Sequence, residues 1–209
     1  MKERFKNIIL YSIVGIFLFM LLCATIFYFQ FELYIGLLWL CYTAITLMVI
    51  GIIFKKPNLI LSQVMIIMIP DLFWIVDFFG ILITGNSILG ITTYFFDNNF
   101  LLKKNLTLQH IFTFPLAVLA LSIIKIKPNN KILLISLGEM GIFFLISLFL
   151  LPPAYGINCL PIPTTCTSFE FSNFIPYPII WLGATFSFII ISYFSLISLT
   201  FLKKDKIDY

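Results

Sequence analysis

The sequence predicts an all-α membrane protein: a six-transmembrane helical bundle with two long extracytoplasmic loops. Three observations carry that expectation. The 209 residues are 61% hydrophobic and 11% charged, whereas soluble domains are nearer half apolar and a quarter charged. Six apolar stretches each reach the ~20 helical residues needed to cross a bilayer. The basic residues gather in short clusters beside those stretches, which is the pattern that sets membrane orientation. Mean hydropathy is +1.10 and Phe alone supplies 25 residues, so no soluble surface can be assembled. No polar segment is long enough for a separate soluble domain, and 1–209 reads as a single membrane domain. The net charge of +4 sits beside the spans and gives no nucleic-acid signal. The expected setting is the cell (plasma) membrane, with the lipid bilayer as partner.

The spans are expected near 7–29, 33–54, 59–80, 106–125, 131–152 and 175–202. The first begins with Lys2, Arg4 and Lys6, but its apolar run is too long for a signal peptide and no A-x-A site follows. "MLLCAT" at 20–25 has the outline of a lipoprotein cleavage site, yet Leu22 before Cys23 is too large for one. Cys23 and Cys41 read as buried apolar residues. With the N-terminus inside, the basic clusters at 2–6, 55–56, 125–131 and 203–206 all face inward. Only Lys103 and Lys104 face outward, so eleven of the 13 Lys and Arg lie inside. That bias puts both termini in the cytoplasm and supports an even number of spans.

Two outer connections are long. Residues 81–105 contain "ILITGNSILGITTYFFDNN" and read as an interfacial or re-entrant segment packed on the bundle. Residues 152–174, "PPAYGINCLPIPTTCTSFEFSNF", are too rich in Pro for a regular helix. Cys159 and Cys166 are a disulfide candidate if that face is oxidising.

Four ionisable residues lie inside the spans: Asp71, Asp77, His110 and Glu139. Such residues usually face the bundle interior or a water-filled cavity, because an unpaired charge at membrane depth is costly. With the third span ending near Gly80, Asp77 lies ~5 Å and Asp71 ~14 Å below the outer boundary. His110 lies ~6 Å below it on the fourth span, so Asp77 and His110 share a level. At 100° per residue, Asp71, Trp74, Gln63, Pro70 and Asp77 occupy one stripe of the third span. Thr107, His110, Thr113 and Ala117 form a narrow stripe on the fourth. Burying the two stripes against each other pairs Asp77 with His110. Asp77 as a simple interfacial cap is the plainer alternative, and Trp74 as packing is another. Asp71 is deeper and has no obvious cation, so it is expected to be either uncharged or multiply hydrogen-bonded. Glu139 lies in "SLGEMG", where Gly138 and Gly141 would let helices approach and an interhelical hydrogen bond form.

His110 is the only histidine. A zinc site normally takes three or four ligands, so no metal is expected. No P-loop, GxSxG, HExxH or dinucleotide fingerprint occurs, and no cofactor is expected. Catalysis would rest on His110 with Asp77. Thr107 and Thr113 share the helix of His110 and rarely give nucleophile–base geometry. Thr92, Thr93, Thr164 or Thr165 could approach from the loops.

The runs "PDLFWIVDFFG" at 70–80, "GITTYFFD" at 90–97 and "LTLQHIFTFPLAVLAL" at 106–121 resemble a family of uncharacterised bacterial integral membrane proteins, labelled only "membrane-associated protein". The family pattern is W-x-x-D-F, then G-x-T-x-Y-x-F-D, then L-x-L-x-H-x-x-x-P. It is met by Trp74, Asp77, Phe78, Gly90, Thr92, Tyr94, Phe96, Asp97, Leu106, Leu108 and His110, with Pro115 one residue late. The resemblance extends to Asn158, and Cys159 beside it is a departure. It covers the middle of the chain and implies a site without a reaction. A looser, architectural likeness is to six-span lipid hydrolases and acyltransferases of the androgen-induced and related families, which use an intramembrane His.

Together these readings predict an outward-facing polar pocket. His110 and Asp77 are its catalytic candidates, and Trp74, Tyr94, Asp97, Asn158 and the deeper Asp71 its ligand-binding candidates. Three functions remain open. The pocket binds or transports a small or lipid-like ligand; or His110 is the general base of an intramembrane lipid hydrolase or acyltransferase; or the polar groups only hold helices together in a structural or partner-binding protein.

Overall fold

The computed structural model describes residues 3–31, 33–97, 106–126, 129–151 and 176–199. Every element named below is helical: α1 (Glu3–Gln30), a 3-10 turn (Tyr34–Leu38), α2 (Leu40–Ile53), α3 (Pro57–Thr84), α4 (Thr93–Asp97), α5 (Gln109–Ile124), α6 (Asn130–Leu145) and α7 (Tyr177–Ser198). A π-helical turn, Ile146–Leu150, extends α6.

Four helices are long and apolar enough to cross a membrane: α1, α3, α6 with its π turn, and α7. The expected first, fifth and sixth spans coincide with α1, α6 and α7 to within a few residues. The expected second and fourth are shorter than anticipated. α2 has 14 residues and α5 has 16, so they are ~21 and ~24 Å long, against a hydrocarbon layer of ~30 Å. The apolar run before α2 is used in the 3-10 turn and in Trp39, whose extended backbone (φ −58°, ψ 136°) starts the helix afresh. The third span is longer than expected. α3 passes Gly80 and ends only at Thr84, where Gly85 adopts φ 75° and its N–H bonds Ile81 O at 2.9 Å. Glycine takes that left-handed stop without steric cost.

α3 is the axis of the bundle and packs against α2, α5, α6 and α7, while α1 lies against α2 and α5. Its inner half, Ile60 to Met68, is buried on every side, Ser62 and Gln63 included, so those two polar side chains need partners inside the protein. Ile60, Leu61, Val64 and Met65 centre the core, with Phe17 of α1, Ile45 and Met48 of α2, Leu121 of α5 and Met140 of α6 around them. The outer helices bury only a stripe. Their other faces expose Phe19 and Phe29 on α1, Leu134 and Ile142 on α6, and Ile179 and Phe194 on α7.

Two expectations fail here. Pro70 is exposed, so it lies off the buried polar stripe, although the carbonyl of Ile66 still loses its helical donor there. Gly138 and Gly141 are not close-approach points: a Cβ added at either would meet nothing within 4 Å. Glu139 nevertheless makes an interhelical bond. Gln63 Nε2 donates to Glu139 Oε2 at 2.8 Å and to Ser62 Oγ at 3.0 Å, tying α3 to α6. Replacing Gln63 with Leu would strand the Glu139 oxygen. Thermal unfolding in detergent is expected to show a loss of about 1–2 kcal/mol for Gln63→Leu, with Glu139→Gln closer to the parent.

Candidate functional site

The central acid–base contact joins α3 and α5. His110 Nδ1 lies 2.7 Å from Asp71 Oδ1. The partner is Asp71, not Asp77 as the sequence had suggested. A match in level between Asp77 and His110 requires both helices to end in one plane. Instead α3 runs on to Thr84, 13 residues beyond Asp71 and so ~20 Å along the axis. α5 begins only at Gln109, so His110 in its first turn meets α3 at the depth of Asp71. The contact has two forms: an ionised Asp71 accepts from Nδ1–H and leaves Nε2 an acceptor, whereas a protonated Asp71 donates to Nδ1 and leaves Nε2–H a donor.

Asp71 is 3% exposed and the His110 side chain 19%. Gln109, the residue before His110 in the chain, is 4% exposed. Its side chain is within hydrogen-bonding reach of the Cys41 thiol, in the first turn of α2, and Cys41 also lies near Asp71. The first turns of two short helices, α2 and α5, thus meet at one acid of the long one. Asp71 Oδ2 and Gln109 Oε1 are buried and have no partner among the described residues. The Thr113 hydroxyl is spent on Gln109 O of its own helix at 2.8 Å.

Asp77 does something else. It is buried and takes six hydrogen bonds from the loop after α3. Ser87 Oγ (2.7 Å), Ile88 N (2.8 Å) and Leu89 N (2.6 Å) donate to Oδ1. Ile91 N (2.9 Å), Thr92 N (2.7 Å) and Thr92 Oγ1 (2.8 Å) donate to Oδ2. Successive backbone N–H groups form an anion-binding concavity of this kind. Gly90 turns the loop at φ 74° and donates to Ser87 Oγ at 2.6 Å. The loop folds back over the last turns of α3, where Ile88 covers Gly80: a Cβ there would meet Ile88 Cδ1 at 2.7 Å. Asp77 is the cap of the plainer reading, and the hydroxyl of Thr92 serves it rather than His110.

The folded-back loop leads into α4 and adds Phe95 to an aromatic wall that α3 itself begins with Trp74 and Phe78. Trp74 lies with its centroid 5.2 Å from the His110 ring, tilted 32°, and stacks on Phe78 at 5.0 Å. Phe95 stands edge-on to both, at 6.4 Å from Trp74 and 5.0 Å from Phe78. Tyr94 and Asp97 are on α4, but their side chains lie outside the described part of the structure, as do residues Asn158, Cys159 and Cys166 entirely. Gln109 and Ser87 were missed in the sequence. Gln109 follows a Leu and precedes the conspicuous His110. Its signal was the i, i+4, i+8 spacing with Thr113 and Ala117, all three buried. Among the described residues no three His, Cys, Asp or Glu gather as a metal site.

No protein-family model, curated protein or solved structure matches the chain.

The Asp77 cage makes a sharp prediction. Asn is nearly isosteric, but its NH2 would face N–H donors, so Asp77→Asn should fail almost as badly as Asp77→Ala. Each is expected to cost more than about 2 kcal/mol and to raise hydrogen exchange selectively at 87–92. Unchanged protection of that loop in Asp77→Asn would refute the cage.

Proposed function

We propose that this chain is a six-span plasma-membrane protein, with both termini cytoplasmic, that binds a small or lipid-like ligand at the Asp71–His110 pair. The 3-10 turn with α2, and residues 106–108 with α5, would complete the two shorter crossings. The eleven-to-two bias of basic residues supports the orientation. The resemblance of the middle of the chain to "membrane-associated protein" sequences fits this reading and adds no reaction.

One observation carries the binding role. His110 is held at Nδ1 by Asp71 and packed against Trp74, and its Nε2 has no protein partner among the described residues. A fixed imidazole with one open nitrogen, beside an aromatic wall, suits an amphiphile with a polar head. Transport is less well supported. Val64 to Met68 are all buried and apolar. They separate Asp71 from the Gln63–Glu139 bond, eight residues or ~12 Å down the axis. No polar step bridges that layer along α3.

A second reading has one observation in its favour. An imidazole oriented by a carboxylate at Nδ1 is the arrangement of a general base in acyl transfer. Cys41 is the nucleophile type in the same neighbourhood, although its thiol is within hydrogen-bonding reach of Gln109 rather than His110.

Native mass spectrometry of the purified protein separates these readings. Binding predicts a non-covalent adduct of constant mass whose occupancy falls about tenfold or more in His110→Ala, a loss of about 1.4 kcal/mol or more. An acyl adduct on Cys41, lost in Cys41→Ser, would favour the enzyme. An adduct indifferent to His110 would overturn the site.

A further inference from the structure

We infer that the ligand of the Asp71–His110 site presents a primary ammonium group. The inference rests on the binding reading above and specifies the chemistry of the head that the site accepts.

Asp71 Oδ2 and Gln109 Oε1 are buried side-chain oxygens without a partner among the described residues. Both are acceptors. In the form on which the inference rests, Asp71 is ionised and accepts from Nδ1–H of a neutral imidazole, and His110 Nε2 is then an acceptor as well. The side chains left over therefore offer three acceptors and one carboxylate charge. The hydrogen-bond partner that the structure gives Asp71 is His110, and no Lys or Arg lies in the sequence between Lys56 and Asp71 or between Leu106 and Ile124.

A buried acceptor left unpaired costs the desolvation of that group, so the fitting ligand supplies donors. An alcohol brings one donor and no charge. A carboxylate or phosphate sets acceptor against acceptor and charge against like charge. A quaternary ammonium brings the charge without a donor. A primary ammonium brings three donors, no acceptor and the compensating positive charge. The same head occurs on membrane amphiphiles and on small soluble amines. The aromatic wall of Trp74, Phe78 and Phe95 favours the amphiphile.

The test uses the full chain in phosphatidylcholine nanodiscs, with Trp39 and Trp181 replaced by Phe so that Trp74 alone reports. Dodecylamine, dodecanol, dodecyltrimethylammonium and ethanolamine are titrated separately against Trp74 fluorescence. Dodecylamine is expected to bind about tenfold or more tighter than dodecanol and the quaternary analogue, a margin of ~1.4 kcal/mol. Asp71→Asn should erase that margin, and Gln109→Leu should narrow it. Ethanolamine matching dodecylamine would assign a soluble amine and keep the inference. Equal binding of dodecanol and dodecylamine, sensitive to His110→Ala, would overturn the ammonium and spare the binding site. Equal binding of the quaternary analogue would reduce the site to an aromatic cation contact and also overturn it. No saturable response to any of the four would overturn both.

Discussion

The six hydrogen bonds that close on Asp77 are the constraint on which the outer half of this molecule depends. A loop leaving a 28-residue helix has no reason of its own to turn back along it. The carboxylate gives it one, by taking N–H groups that would otherwise lie unpaired at the edge of an apolar region. Once the loop is pulled down, Ile88 seats on Gly80 and α4 delivers Phe95 to the Trp74–Phe78 stack. The wall over His110 is therefore completed, by Phe95, through an acid that has no bond to His110.

The two acids of one helix solve the same problem differently. Both are buried, and both need donors, since water is not at hand. Asp77 is satisfied on both oxygens by backbone and hydroxyl groups. Asp71 is satisfied on one oxygen by a side chain that is itself only partly enclosed, and its other oxygen is left over. A fully satisfied polar group rigidifies a structure, whereas a half-satisfied one is held at a cost. That contrast gives Asp77 an architectural role, and in the proposed function it makes Asp71 the acid that meets the ligand.

Helix length decides where this happens. α2 and α5 are too short to match α3, and their first turns bring Cys41, Gln109 and His110 to the level of Asp71. Below, Val64 to Met68 make a buried apolar layer, and the Gln63–Glu139 bond under it joins helices without meeting the upper site. The polar groups thus form two separate layers, one that fits binding and one that fits assembly.

By itself the sequence determined the chemistry of the solvent and the candidates. An apolar content of 61% forces helices, because helices satisfy their own backbone in lipid. The few ionisable residues within them had to be the places where something specific happens. Trp74, Asp71, Asp77 and His110 were legible for that reason, and so was the Glu139 bond. The tertiary structure alone decided which acid meets the histidine. Pairing depends on where each helix ends, and those ends are set by contacts between segments: a loop caught by Asp77, a 3-10 turn before α2, a late start for α5. Run length in an apolar sequence marks where lipid is tolerated. It carries no record of the turn at which a helix stops, and a shift of six residues along α3 exchanges Asp77 for Asp71.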